Sequence, residues 1–127
     1  MAYKSPLFYH KLYPPGAFKP DQQKKTLTRI LVADDDPNVR SVIRAFLAKA
    51  GFREIVLAMN GTTALRQLEA SHFDVALLDL KMPPPNGLEI LRQLRARNIQ
   101  TDVVMFSGYA SIRDGIEAVR LGARDFL

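Results

Sequence analysis

Apolar residues fall along this chain in two alternating kinds of segment. Short continuous runs occupy 30–33 (Ile-Leu-Val-Ala), 55–58 (Ile-Val-Leu-Ala), 75–78 (Val-Ala-Leu-Leu) and 103–106 (Val-Val-Met-Phe). Between them, apolar residues recur at helical spacing. Val39, Val42, Ile43, Phe46 and Leu47 follow i, i+3, i+4, i+7, i+8, and Leu65 with Leu68, Leu88 with Leu91 and Leu94, and Ile112 with Ile116 and Val119 mark three further inward stripes. A strand that is apolar throughout is covered on both faces by helices. Strands alternating with helices of this size predict right-handed crossovers and a doubly wound parallel α/β sheet.

The breakers agree with these boundaries. Asp36 suits an N-cap and Pro37 a first helical position, Gly51 closes that helix, and Asn60-Gly61 reads as a turn or cap before a helix over 62–70. The helix of Leu88 ends near Arg97, and Ser111 and Gly122 bound the last one. Asp125-Phe126-Leu127 resembles the start of a fifth strand. Residues 1–26 show neither period and contain Pro6, Pro14, Pro15 and Pro20 among scattered aromatics, so they are read as a disordered basic tail, with residues 27–127 as the folded domain.

Chemistry concentrates where strands end. The run at 75–78 leads directly into Asp79, and Lys81-Met82-Pro83-Pro84-Pro85-Asn86-Gly87 then prevents the strand from continuing. The first run ends on Asp34-Asp35-Asp36 and the fourth on Ser107-Gly108. In a parallel sheet these ends share one rim, the side on which ligands bind. Asp34, Asp35 and Asp79 would repel one another there. Unless one is protonated, a hard divalent cation is the simplest remedy, and few all-oxygen ligands suit Mg²⁺, which favours phosphate oxygens. Each residue also has a plainer role: Asp36 as a helix cap, Ser107 before glycine as a turn former, His10 and His72 as surface histidines without ligand spacing.

Composition narrows the options. The 127 residues are about one domain's worth, and 47% hydrophobic with 24% charged residues is ordinary for a globular protein. Cysteine is absent, which excludes disulfides, thiolate metal sites and a cysteine nucleophile. No apolar run approaches the ~20 residues needed to cross a bilayer, and the N-terminus carries no secretory apolar region, so a cytoplasmic location without membrane contact is expected. The net charge of +5 resides in residues 1–29, while the remaining 12 basic and 12 acidic residues cancel. Such a tail fits an anionic partner or, more plainly, a solubilising extension.

Three motifs carry a family resemblance: Ile30-Leu31-Val32-Ala33-Asp34-Asp35-Asp36-Pro37, then Asp79-Leu80-Lys81-Met82-Pro83 followed by Gly87-Leu88-Glu89, then Val104-Met105-Phe106-Ser107-Gly108-Tyr109-Ala110. Residues 28–127 resemble the receiver domain of two-component response regulators. The resemblance implies a flavodoxin-like sheet of order 2-1-3-4-5 and a non-enzymatic signalling module. Asp79 is then the acceptor of a phosphoryl group from a histidine kinase or phosphotransfer protein. Mg²⁺ is held by Asp34, Asp35, Asp79 and the backbone carbonyl of Lys81, with Asp35 the more direct ligand. Ser107 hydrogen-bonds the phosphoryl oxygen, Phe126 is the aromatic switch, and a further protein receives the signal.

Departures qualify the resemblance. The family's lysine at the end of strand five falls two positions past Leu127, so the fifth strand is expected to be cut short and the fifth helix absent. An alternative reading follows: a protein-interaction module without an effective phosphorylation switch, in which modification of Asp79 is poorly transmitted to the helix over 112–121. Asn86 stands where aspartate is frequent, and Lys81 and Tyr109 occupy positions flanking the acyl phosphate. An aspartate-nucleophile phosphatase of the haloacid-dehalogenase type needs a second aspartate where Lys81 stands. No helix-turn-helix follows, so nucleic-acid binding by the folded part is not expected.

Overall fold

The structure, a computed structural model, describes residues 22–106 and 125–126. Five parallel strands are β1 (Arg29–Ala33), β2 (Glu54–Ala58), β3 (Val75–Asp79), β4 (Asp102–Phe106) and β5 (Asp125–Phe126), ordered β2-β1-β3-β4-β5. The described helices are α1 (Gln22–Leu27), α2 (Pro37–Lys49), α3 (Gly61–Ala70) and α4 (Gly87–Ala96). The alternation expected from the apolar runs is therefore present, as the flavodoxin-like order of a doubly wound sheet. The expected helix over 112–121 lies outside the described residues.

Strand periodicity divides the core in two. Leu31, Ala33, Ala76, Leu78, Val103 and Met105 face one side and pack with Leu68, Ile90, Leu91 and Leu94 of α3 and α4. Ile30, Val32, Leu77 and Val104 face the other and pack with Ile43 and Leu47 of α2 and with Phe52. Each central strand is buried on both faces, which is why its sequence is continuously apolar. Of the predicted α2 stripe, Val42 is 49% exposed, so the helix presents a narrower apolar face than the spacing implies.

Helix ends show why the elements stop where they do. At the end of α2, Gly51 takes φ 106°, Gly51 N–H donates to Ala48 O and Phe52 N–H donates to Leu47 O, closing a Schellman motif. α4 ends with the same two bonds, Asn98 N–H to Arg95 O and Ile99 N–H to Leu94 O, but here the left-handed residue is Asn98 at φ 57°.

One boundary differs from the sequence reading. Residues 22–26, assigned to the tail, belong to helix α1. Lys25 Nζ donates to Ala50 O at 3.1 Å and lies 5.8 Å from the Phe52 ring centroid, so Lys25 ties this segment to the carbonyl end of α2. A tertiary tether of this kind leaves no periodic signal. Residues 1–21 lie outside the described residues.

Substitution of Asn98 by glycine removes the cost of a side chain in the left-handed region and is expected to stabilise the domain by about 0.5–1 kcal/mol. Urea denaturation midpoints of the two proteins check this, and an unchanged or lowered midpoint would contradict it.

Candidate functional site

Register alone brings the acidic residues together. Ala33 of β1 is the Cα partner of Leu78 of β3, so the next position on each strand places Asp34 beside Asp79. Both continue the alternation of Val32 and Leu77 and so share the α2 side of the sheet. Asp35, one residue on, is exposed. Carboxylate oxygens of Asp34, Asp35 and Asp79 all lie within 4.8 Å of one another. Asp34 is 4% and Asp79 9% exposed.

The turns after the strands supply backbone donors to the cluster, beside a side-chain hydrogen bond between Asp34 and Asp79. Asp36 N–H donates to Asp34 Oδ1 at 2.8 Å, and Lys81 N–H donates to Asp79 Oδ1 at 3.0 Å, so the Lys81 backbone is folded back against the cluster. Asp36 itself caps α2 through Asn38 N–H, as its position before Pro37 implies. Arg40, one turn into α2, donates from Nη1 to Asp34 O at 2.7 Å. Sequence reasoning passed over Arg40 because it lies on the polar side of the helical pattern.

The proline-rich loop is fixed at both ends. Asn86 Oδ1 accepts from Glu89 N–H, and Glu89 Oε1 accepts from Asn86 N–H, a capping box at the start of α4. The signal for it in the sequence is the Asn86-x-x-Glu89 spacing, which the family comparison at Asn86 alone does not reveal. A Cβ at Gly87 would lie 2.8 Å from Asp79 O and 3.0 Å from Met105 Sδ, and one at Gly61 would collide with Pro85 O. These contacts give two glycines a steric reason, and the first ties the start of α4 directly to the backbone of Asp79.

Burial raises the Asp34 carboxyl from its ordinary 3.8 to about 6; the Asp36 N–H opposes this, and the charges of Asp79 and Asp35 add to it. Asp79 is also raised, again chiefly by burial, with the Lys81 N–H acting the other way. The rim thus holds more negative charge than its protein surroundings balance, and its donor set is entirely oxygen. A hard divalent cation fits both facts.

Ser107 and Tyr109 lie outside the described residues, as does His10; Phe106, which precedes Ser107, is the Cα partner of Asp79. For Phe126 the structure gives backbone pairing with Met105. His72 is exposed and meets Asp74 at 3.0 Å, away from the acidic cluster. Among the described residues no helix is long and apolar enough to cross a membrane.

A doubly wound parallel sheet with three carboxylates gathered at its carboxyl rim defines a class of ligand-binding α/β domain. Within that class the chain belongs to the response regulator receiver domain family, whose model matches residues 30–127. It is 38% identical over 101 residues to the regulatory protein AtoC of Escherichia coli, covering 80% of this chain and 22% of AtoC. It is similar to the receiver domain of the Francisella response regulator 1452, with TM-score 0.73, 32% identity and coverage of 79% and 82% of the two chains. It is also similar to the response regulator TrrA of Thermotoga maritima in complex with Mg²⁺ and BeF, with TM-score 0.70, 30% identity and coverage of 79% and 84%. The chain spans only about a fifth of the length of AtoC.

Because its proton is held more tightly in the folded state, Asp34 contributes stability in full below about pH 4 and loses it as pH rises through about 6. Asn at position 34 keeps the acceptor for Asp36 N–H but cannot ionise. Without divalent cations, Asp34→Asn is expected to be more stable than wild type by roughly 1–3 kcal/mol at neutral pH, with the difference closing towards about pH 4. Denaturant melts across that range check it; a wild type as stable as the variant at neutral pH would contradict it.

Proposed function

We propose that this domain is the phosphoacceptor of a two-component phosphorelay and that Asp79 takes its phosphoryl group from a phosphohistidine on a histidine kinase or phosphotransfer protein. The observation that carries this reading is the convergence of Asp34, Asp35 and Asp79 within 4.8 Å at the rim, with Asp79 at the end of a central strand. The Mg²⁺ and BeF in the TrrA complex support it by analogy.

Asp79 attacks phosphorus through a carboxylate oxygen. The P–N bond to histidine breaks, the imidazole leaves with its electron pair and is protonated, and an acyl phosphate remains on Asp79. Burial and the Lys81 N–H hold the carboxylate in one orientation. Asp34, Asp35, Asp79 and the backbone carbonyl of Lys81 would hold Mg²⁺. When bound, the ion neutralises negative charge on the carboxylates and on the phosphoryl oxygens. Ser107, directly after β4, is assigned the hydrogen bond to a phosphoryl oxygen, and Phe126 the aromatic switch. The downstream partner is a protein or an attached output domain, and the domain itself turns over no substrate.

Acetyl phosphate with Mg²⁺ is expected to label Asp79 alone, through a linkage cleaved by base, and Asp79→Asn is expected to abolish labelling. Intact-mass measurement and peptide mapping check this. Label that survives Asp79→Asn, or that resists base, would assign the acceptor elsewhere.

A further inference from the structure

A second concave site lies at the other end of the domain. Helix α2 starts beside the acidic rim and its 13 residues carry the chain about 20 Å away from it. There a pocket of about 500 Å³ opens between the end of α2 and the start of β2. Arg44, Lys49 and Arg53, all exposed, line it, with Phe52 and Ile55 beneath, and no carboxylate is among its lining residues. Among the described residues none of the three cations makes an ion pair or hydrogen bond.

A cation near a helix C-terminus ordinarily serves the helix dipole, and Lys49 in the last turn of α2 fits that role. The carbonyl end of α2 is already well served. Ala50 O accepts from Lys25 Nζ, and Ala48 O and Leu47 O accept from the N–H groups of Gly51 and Phe52. A helix end carries about half an elementary negative charge, whereas three whole positive charges surround the pocket. Arg44 and Arg53 are therefore surplus to helix capping. The residues preceding α1 do not complement them: residues 1–21 carry three lysines against one aspartate.

We infer that this pocket binds a multiply charged phosphate compound of nucleotide size through Arg44, Lys49 and Arg53. Two guanidinium groups offer the paired donors that suit phosphate oxygens, and the volume falls within the range of small-ligand sites. An acidic protein segment is the weaker match, because the three cations line one concavity and not an extended groove. Phe52 is 1% exposed, with Lys25 near its ring, so recognition rests on the charged part of the ligand and not on ring stacking.

The test is an amide NMR titration of the whole chain in EDTA, which prevents metal-bridged binding at the acidic rim, first with tripolyphosphate and separately with ATP. Saturating shifts over residues 44–55 are expected with both, while residues around Asp34 and Asp79 stay unmoved. Arg44→Ala/Arg53→Ala should bind at least about tenfold more weakly, with Arg44→Lys/Arg53→Lys, which keeps the charge but loses the paired donors, falling between it and the wild type. Tighter binding of ATP assigns the site to nucleotides, and equal binding assigns it to free polyphosphate. Absence of saturating shifts over 44–55, or equal binding by the alanine variant, would overturn the inference. Displacement of tripolyphosphate by an oligoglutamate peptide of equal charge would overturn it in favour of a carboxylate-bearing protein surface. None of these outcomes depends on whether Asp79 accepts a phosphoryl group.

Discussion

Two buried carboxylates side by side, with a third within 4.8 Å, are the constraint around which this domain is built. Moving an ionised carboxylate out of water is costly unless hydrogen bonds or opposite charge replace its hydration. Here one backbone N–H is bonded to Asp34 and one to Asp79, and both carboxyls remain shifted towards the protonated form. Such crowding persists only because the surroundings enforce it. The β1–β3 register fixes the separation of Asp34 and Asp79, Arg40 holds the carbonyl of Asp34, and Gly87 lets α4 start against the carbonyl of Asp79. The arrangement is strained electrostatically and suited to a cation.

What the sequence revealed of this arrangement depended on how local each signal was. The four long strands are legible because burial on both faces demands uninterrupted apolar residues, and the ends of three of them are marked by Asp34, Asp79 and the residue after Phe106. The Asp36 cap and the stop at Gly51 are local backbone chemistry and were equally legible. Contacts between distant segments were not. Nothing in the spacing of residues 22–27 announces that Lys25 will reach Ala50, and nothing around Arg40 announces its bond to Asp34. Helical spacing also placed Val42 inward, because periodicity gives the direction of an apolar face but not its width. The steric need for Gly87 became clear only once β3 and α4 were in contact.

The fold separates two kinds of charge. Acidic groups gather at the carboxyl rim, and Arg44, Lys49 and Arg53 surround a pocket at the far end of α2. Family membership settles the fold that carries the first site. It leaves the output open, since the chain covers 22% of AtoC and a receiver fold is joined to different effectors.

The central claim is that the acidic rim is a cation site and not merely a crowded turn. Calorimetric titration with Mg²⁺ tests it most directly. The account requires one ion per domain, with binding that releases protons near pH 6 and is lost in Asp35→Ala, where the exposed carboxylate is removed and the buried pair remains. Equal Mg²⁺ affinity in wild type and Asp35→Ala would contradict it.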